Sequence, residues 1–254
     1  MKVLGIDSSS LVASVALVTD DILTAEYTVD FKKTHSQTLL PMLDEITRLL
    51  ELDLATVDAI AVAAGPGSFT GLRIGAATAK GLGLALKKPL IHVPTVDALA
   101  YNMWGAAGLV CPIMDAKRSQ VYTGLYHLEN DIQVVMEQCP MDMHELVRML
   151  NERGEKVIFL GDGVPVYKGI IEEEMQAPYV FAPAQMNRQR ASCVAALGMR
   201  AFMAEQSGAD AYKGAFLVDA ADFTPDYLRK SQAERQREAE NSPDGQAGKL
   251  PGDY

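Results

Sequence analysis

The chain has 254 residues, 48% hydrophobic and 22% charged, the composition of an ordinary folded protein. Its 33 acids against 23 bases leave a net charge of −10, which repels a phosphate backbone and excludes tight nucleic-acid binding by the chain alone. No apolar run reaches the roughly 18 residues that a membrane span needs, and the length favours two units of roughly 100 residues each.

Taken in order, Met1-Lys2-Val3-Leu4-Gly5-Ile6-Asp7 meets an acid too early for a secretory signal and reads as a first β-strand. A Ser-rich turn leads into Val12 to Val18, completing a hairpin, and Asp20-Asp21 turns the chain into a third strand over about 22–29. Leu39, Leu40, Leu43, Ile46, Leu49 and Leu50 recur at helical spacing and predict a helix from about Ser36 to Leu50. Thr34 and Ser36, on either side of His35, are residues that cap such a helix. An apolar strand, Ala59 to Ala64, then enters Gly65-Pro66-Gly67-Ser68-Phe69-Thr70-Gly71-Leu72-Arg73-Ile74-Gly75, and an Ala/Gly-rich helix over about 70–87 leaves it. A strand (Leu90 to Val93) and a helix (Val96 to Trp104) follow, and residues 105–110 read as a linker.

The same order then returns. Pro112-Ile113-Met114-Asp115, a polar turn and Val121 to Tyr126 form a second hairpin, with Asp115 matching Asp7. Asn130-Asp131 turns into a strand over about 132–138, and a helix runs from about Met143 to Asn151. Val157 to Leu160 ends in Gly161-Asp162-Gly163, followed by a helix, a strand (Tyr179 to Ala182) and a last helix (Ala191 to Glu205). The order βββαβαβα therefore occurs twice, an α/β architecture with a mixed five-stranded sheet and covering helices in each domain. Domains are expected over 1–104 and 105–228, with a polar tail over 229–254. Two such domains facing a cleft resemble the actin, Hsp70 and sugar-kinase (ASKHA) superfamily.

In that superfamily an aspartate of the first hairpin holds magnesium, and glycine turns from both domains bracket the nucleotide phosphates. The resemblance therefore marks Asp7, Ser8, Gly65, Gly67, Asp115, Gly161 and Gly163 as a vestigial nucleotide site. Each has an ordinary reading beside it. Asp7 and the serines after it satisfy turn N–H groups, the glycines supply left-handed turns, and Asp115 before Lys117-Arg118 is a solvated hairpin tip. The Gly65 loop lies at a strand–helix junction suited to anions. However, it lacks the Lys of a P-loop and misses the Gly-x-Gly-x-x-Gly spacing by one residue. No Gly-x-Ser-x-Gly elbow frames Ser68, which together with Thr70 reads as a cap for the following helix.

Cys111, Cys139 and Cys193 are far apart in apolar sequence, which points to reduced thiols and a cytoplasmic location. His35, His92, His127 and His144 show no metal-ligand spacing. Gly71, Gly75, Ala79 and Gly83 recur every four residues along one helical ridge. Glycine costs roughly 1 kcal/mol against alanine in a helix, so the row needs a packing reason. That reason is either close packing on the chain's own sheet or a helix of another chain.

Gly5-Ile6-Asp7-Ser8-Ser9, Thr34-His35-Ser36 with Leu39-Leu40-Pro41, the Gly65–Gly75 motif and Pro225-Asp226-Tyr227-Leu228-Arg229 together resemble the TsaB (YeaZ) family, over residues 1 to about 235. The resemblance implies a subunit of the machinery that places a threonylcarbamoyl group, taken from threonylcarbamoyl-AMP, on N6 of adenosine 37 in tRNAs reading codons that begin with A. In that family the catalytic partner is the paralogue TsaD, with a His-x-x-x-His metal site, and the ATPase TsaE joins the complex. This sequence contains no His-x-x-x-His, and an older description of the family as a peptidase finds no support in its residues.

The expectation is a non-catalytic activating subunit with no cofactor of its own, ATP, magnesium and metal lying on the partners. It meets tRNA only within the complex and has no membrane role. The family's dimer uses the first two helices of the N-terminal domain. That places His35, Leu39, Leu43, Gly71, Gly75, Ala79 and Gly83 at the partner interface, and at a homodimer interface when the partner is absent. The alternative is an ATP- and magnesium-dependent phosphotransferase using Asp7 and Asp115.

Overall fold

The computed structural model describes residues 1–31, 34–208 and 212–229. Strands β1 (Lys2–Asp7), β2 (Val12–Thr19) and β3 (Ile22–Asp30) form an antiparallel meander. Helix α1 (His35–Leu49) leads to β4 (Ala59–Gly65), α2 (Phe69–Leu86) and β5 (Leu90–Pro94), with β4 parallel to both β1 and β5. After the short α3 (Thr95–Tyr101), strands β6 (Leu109–Asp115), β7 (Gln120–His127) and β8 (Gln133–Asp142) repeat the meander. Helix α4 (Met143–Arg153), β9 (Val157–Leu160), α5 (Val164–Glu174), β10 (Tyr179–Phe181), α6 (Ala191–Ser207) and β11 (Phe216–Val218) complete the described chain.

The two sheets have the orders β11-β5-β4-β1-β2-β3 and β10-β9-β6-β7-β8, so the duplicated βββαβαβα order is present. The first sheet has six strands rather than five. Its extra strand, β11, pairs antiparallel with the edge of β5, Leu217 opposite Ile91. Three residues are too few to carry a period.

The central strands read as unbroken apolar runs because helices cover both of their faces. Leu4, Ile6, Val15 and Val62 pack on Leu39, Met42, Leu43 and Ile46 of α1 and on Ala76 and Ala79 of α2. The opposite face, with Val3, Ala59, Ala61 and Ile91, packs on Val194, Ala195 and Leu197 of α6. In the second sheet, α4 and α5 cover Leu109, Ile113 and Phe159, while Val96, Leu99 and Ala100 of α3 cover Val110, Met114 and Ile158.

The last helix of each repeat thus covers the other repeat's sheet. Residues 105–228 supply both the second sheet and, through α6 and β11, part of the first lobe. Helical periodicity marks an apolar face and not which sheet receives it. Gly5 admits the start of α6, since a Cβ there would lie 2.2 Å from the Ala191 carbonyl oxygen.

Candidate functional site: the interlobe cleft and the α1–α2 face

The first hairpin turn and the glycine loop meet at the floor of a cleft of about 860 Å³ between the two repeats. Asp7 is buried, and its Oδ1 accepts from the Ser9 amide at 2.9 Å and the Ser9 hydroxyl at 2.7 Å. Burial pushes its carboxyl up to about 6, against the pull of those bonds. Ser8 is buried and donates through Oγ to the Gly71 carbonyl at 2.9 Å.

The glycines of the loop are filled from within the chain. A Cβ on Gly65, whose φ is +129°, would lie 2.2 Å from the Asp226 carbonyl oxygen, and one on Gly67 would lie 2.3 Å from that of Ser9. The Gly65 amide donates to Thr95 Oγ1 at 3.0 Å and the Ser68 amide to the Ser9 carbonyl at 2.7 Å. Ser68 caps α2 as expected, its Oγ accepting from the Gly71 amide. Thr70 lies inside the first turn, and Thr34 makes no side-chain cap bond to α1.

The second repeat contributes Asp115 and the turn Gly161-Asp162-Gly163. Burial pushes the Asp115 carboxyl up, but bonds from Lys117 and the Tyr167 hydroxyl outweigh it and hold it below the usual carboxylate range. Its Oδ1 accepts from the Lys117 amide at 2.8 Å and from Tyr167 at 2.9 Å, and its Oδ2 pairs with the Lys117 ammonium. Gly161 and Gly163 both approach the Ile113 carbonyl, at 2.2 and 2.8 Å from where their Cβ atoms would lie. Asp162 lines the cleft with a buried, unpartnered Oδ1, and burial raises its carboxyl. Among the described residues no cluster of three or more His, Cys, Asp or Glu could hold a metal ion. The three cysteines are unpaired, and burial pushes the Cys111 and Cys193 thiols up to about 12.

The seven residues expected at a partner interface are all buried within the chain. His35 holds the Ser10 carbonyl through Nε2 at 2.8 Å, and Leu39 and Leu43 lie in the first-sheet core. The row Gly71, Gly75, Ala79 and Gly83 turns inward. Cβ atoms on Gly71 and Gly75 would lie 2.0 Å from Ser8 O and 2.4 Å from Ser8 Oγ, and one on Gly83 would lie 2.8 Å from the Ala220 methyl. Close packing on the chain's own turn and strands is therefore what these small residues serve, and the expectation that they face a partner is corrected. The outward face of α2 carries a second row of small residues, Ala77, Gly81 and Ala85, with open space around Gly81. Leu84 (58% exposed) and, on α1, Leu40 (54%) stand in solvent near it in sequence or on the adjoining helix.

A model of the family described as "TsaD: tRNA N6-adenosine threonylcarbamoyltransferase" matches residues 29–237. The TsaB protein of Bacillus subtilis, described as a tRNA threonylcarbamoyladenosine biosynthesis protein, is 35% identical over 236 residues, covering 92% of this chain and 96% of that relative. TsaB of Escherichia coli is 33% identical over 161 residues, 59% of this chain and 68% of its own. The solved structure of YeaZ from Pseudomonas aeruginosa, 26% identical, superposes with a TM-score of 0.69 over 89% of this chain and 99% of that one.

Proposed function

Because the chain belongs to the TsaB family of tRNA threonylcarbamoyladenosine biosynthesis proteins, we propose that it is the non-catalytic, activating subunit of a tRNA-modifying complex. In this reading it docks on a TsaD-type transferase, with TsaE as the accompanying ATPase, during transfer of a threonylcarbamoyl group to N6 of adenosine 37. The site of action is the cytoplasm. ATP, magnesium and the catalytic metal belong to the partner subunits, and tRNA is met only in the assembly, as the net charge of −10 favours.

The observation that carries the reading is that the two carboxylates a phosphotransferase would use, and the glycines of the loop, are engaged within the chain. The Asp7 and Asp115 carboxylates are tied to Ser9, Lys117 and Tyr167, and the loop glycines are filled by Ser8, Ser9 and Asp226. Small residues exposed at four-residue spacing on α2 favour close approach of another helix, and the exposed Leu84 on the same helix favours burial in a complex. When the partner is absent, the same face pairs with a second copy of the chain.

The test is Gly81→Leu, which places a branched side chain on the outward row at a position whose Cβ has open space around it. Calorimetric titration into the TsaD partner is expected to show at least a tenfold loss of affinity with a urea midpoint at or above that of the wild type. Wild-type affinity would refute docking through this face.

A further inference from the structure

We propose that residues 219–229 are a latch across the interlobe cleft, with Arg229 as its bolt. The segment follows β11 and is anchored first on the first lobe. Phe223 is 2% exposed, and Lys80 Nζ donates to the carbonyls of Ala221 at 2.7 Å and Phe223 at 3.0 Å. The Asp226 amide donates to the Ala64 carbonyl at 2.7 Å, and the Asp226 carboxylate faces His92 Nε2 at 3.2 Å. Tyr227 then stacks on Phe69 at the start of α2, ring centroids 4.6 Å apart and planes 3° from parallel. Arg73 lies over both rings and donates through Nε to the Tyr227 hydroxyl at 3.2 Å.

Two residues on, the chain reaches the second lobe. Arg229 donates through Nη1 to the Ala116 carbonyl at 2.7 Å, in the turn between β6 and β7. Lys117, Arg118 and Ser119 of that turn all have left-handed backbone, with φ of 64°, 58° and 58°. Arg229 lines the cleft, whereas Leu228, its neighbour, lines a different cavity of about 800 Å³ beside Asp131 and Glu137. The segment is thus the wall between the two cavities.

Its anchoring is uneven. Phe223 is buried, but Asp226, Tyr227 and Leu228 are exposed, outside any helix or strand, and the reach to the second lobe ends on the Arg229 hydrogen bond. Segments with few buried contacts and solvent-exposed hydrogen bonds open locally, well below the free energy of global unfolding. The latch therefore opens from its Arg229 end, hinging after the Tyr227 stack that holds it to the first lobe, and its opening uncovers the cleft mouth and joins the two cavities.

The experiment is hydrogen exchange on the full chain, read beside urea unfolding, for the wild type, Arg229→Ala, Arg229→Lys and Tyr227→Ala. Arg229→Ala is expected to speed exchange at least fivefold in peptides covering 113–119 and 224–229, with an unchanged urea midpoint. Arg229→Lys, which keeps a cationic donor, restores part of that protection, and Tyr227→Ala extends the faster exchange to 64–72. Wild-type exchange in all three variants would overturn the latch. So would acceleration spread evenly over the whole chain with a lowered urea midpoint, because the segment would then be part of the global folding unit.

Discussion

Two alanine substitutions on one helix, Gly71→Ala and Gly81→Ala, separate inward packing from an outward docking row. At Gly71 the new methyl would sit 2.0 Å from the Ser8 carbonyl oxygen and 3.3 Å from His35 Cδ2. The first neighbour is backbone and cannot rotate away, so either the Ser8 turn or the start of α2 must shift. Overpacking of this kind costs about 1–3 kcal/mol, and the Ser8 Oγ bond to the Gly71 carbonyl, worth about 1 kcal/mol, is loosened with it. A gain of up to about 1 kcal/mol in helix propensity offsets part of this, leaving a net loss of about 1–3 kcal/mol. At Gly81 nothing lies within 4 Å of the new methyl, so the propensity gain of about 0.5–1 kcal/mol stands alone. Urea unfolding with fitted slopes reads both. The expected result is a lowered midpoint for Gly71→Ala and a raised one for Gly81→Ala. A midpoint for Gly71→Ala at or above that of the wild type would refute the inward orientation of the row.

Other expectations follow from the same contacts. Asp7 is fully buried and its carboxyl rises from 3.8 to about 6 on folding. The stability it contributes is therefore complete below about pH 3.8 and lost as pH rises through about 6, a change of roughly 3 kcal/mol. Asp7→Asn does not titrate, so its stability relative to the wild type should climb between pH 4 and pH 7 and then level off. A flat difference in urea unfolding over that range would contradict the burial argument. Ser68→Ala removes the oxygen that accepts from the Gly71 amide and should cost about 1 kcal/mol by the same assay; no change would mean that the cap is idle. Phe223→Ala empties a buried aromatic site and should cost about 3–5 kcal/mol, whereas a loss below about 1 kcal/mol would show that the latch is not anchored there.

The repeat was legible because each element carries its own local signal. Val157–Leu160 is a short apolar run closed by Gly161, and the structure gives β9 those bounds. The destination of α6 was not legible, since a helix that is apolar over most of its surface matches either sheet, and the choice is made by Gly5 and Gly198, which admit it against the first. The two small-residue rows of α2 show the same limit. Both run at four-residue spacing, and only Ser8, Leu90 and Ala220, brought together from three parts of the chain, decide which one is filled. Of the residues marked by their places in the repeat, Gly67 and Asp115 line the cleft, beside Asp162 of the second glycine turn. Arg229 is named only within the Pro225–Arg229 motif, and its contact was not legible because its acceptor is a backbone carbonyl 113 residues away. The polar tail read from the sequence lies, beyond Arg229, outside the described residues.

The central claim is that this chain supports a transferase through its surface and performs no chemistry in its own cleft. It is tested most directly by a reconstituted threonylcarbamoyl-transfer assay on unmodified tRNA, with the TsaD and TsaE partners present. The chain is left out, added as wild type, added as Gly81→Leu, or added as Asp7→Asn. Modification is expected to require the chain, to fall at least tenfold with Gly81→Leu and to stay near the wild-type level with Asp7→Asn. Loss of modification with Asp7→Asn, while the complex still assembles, would contradict it.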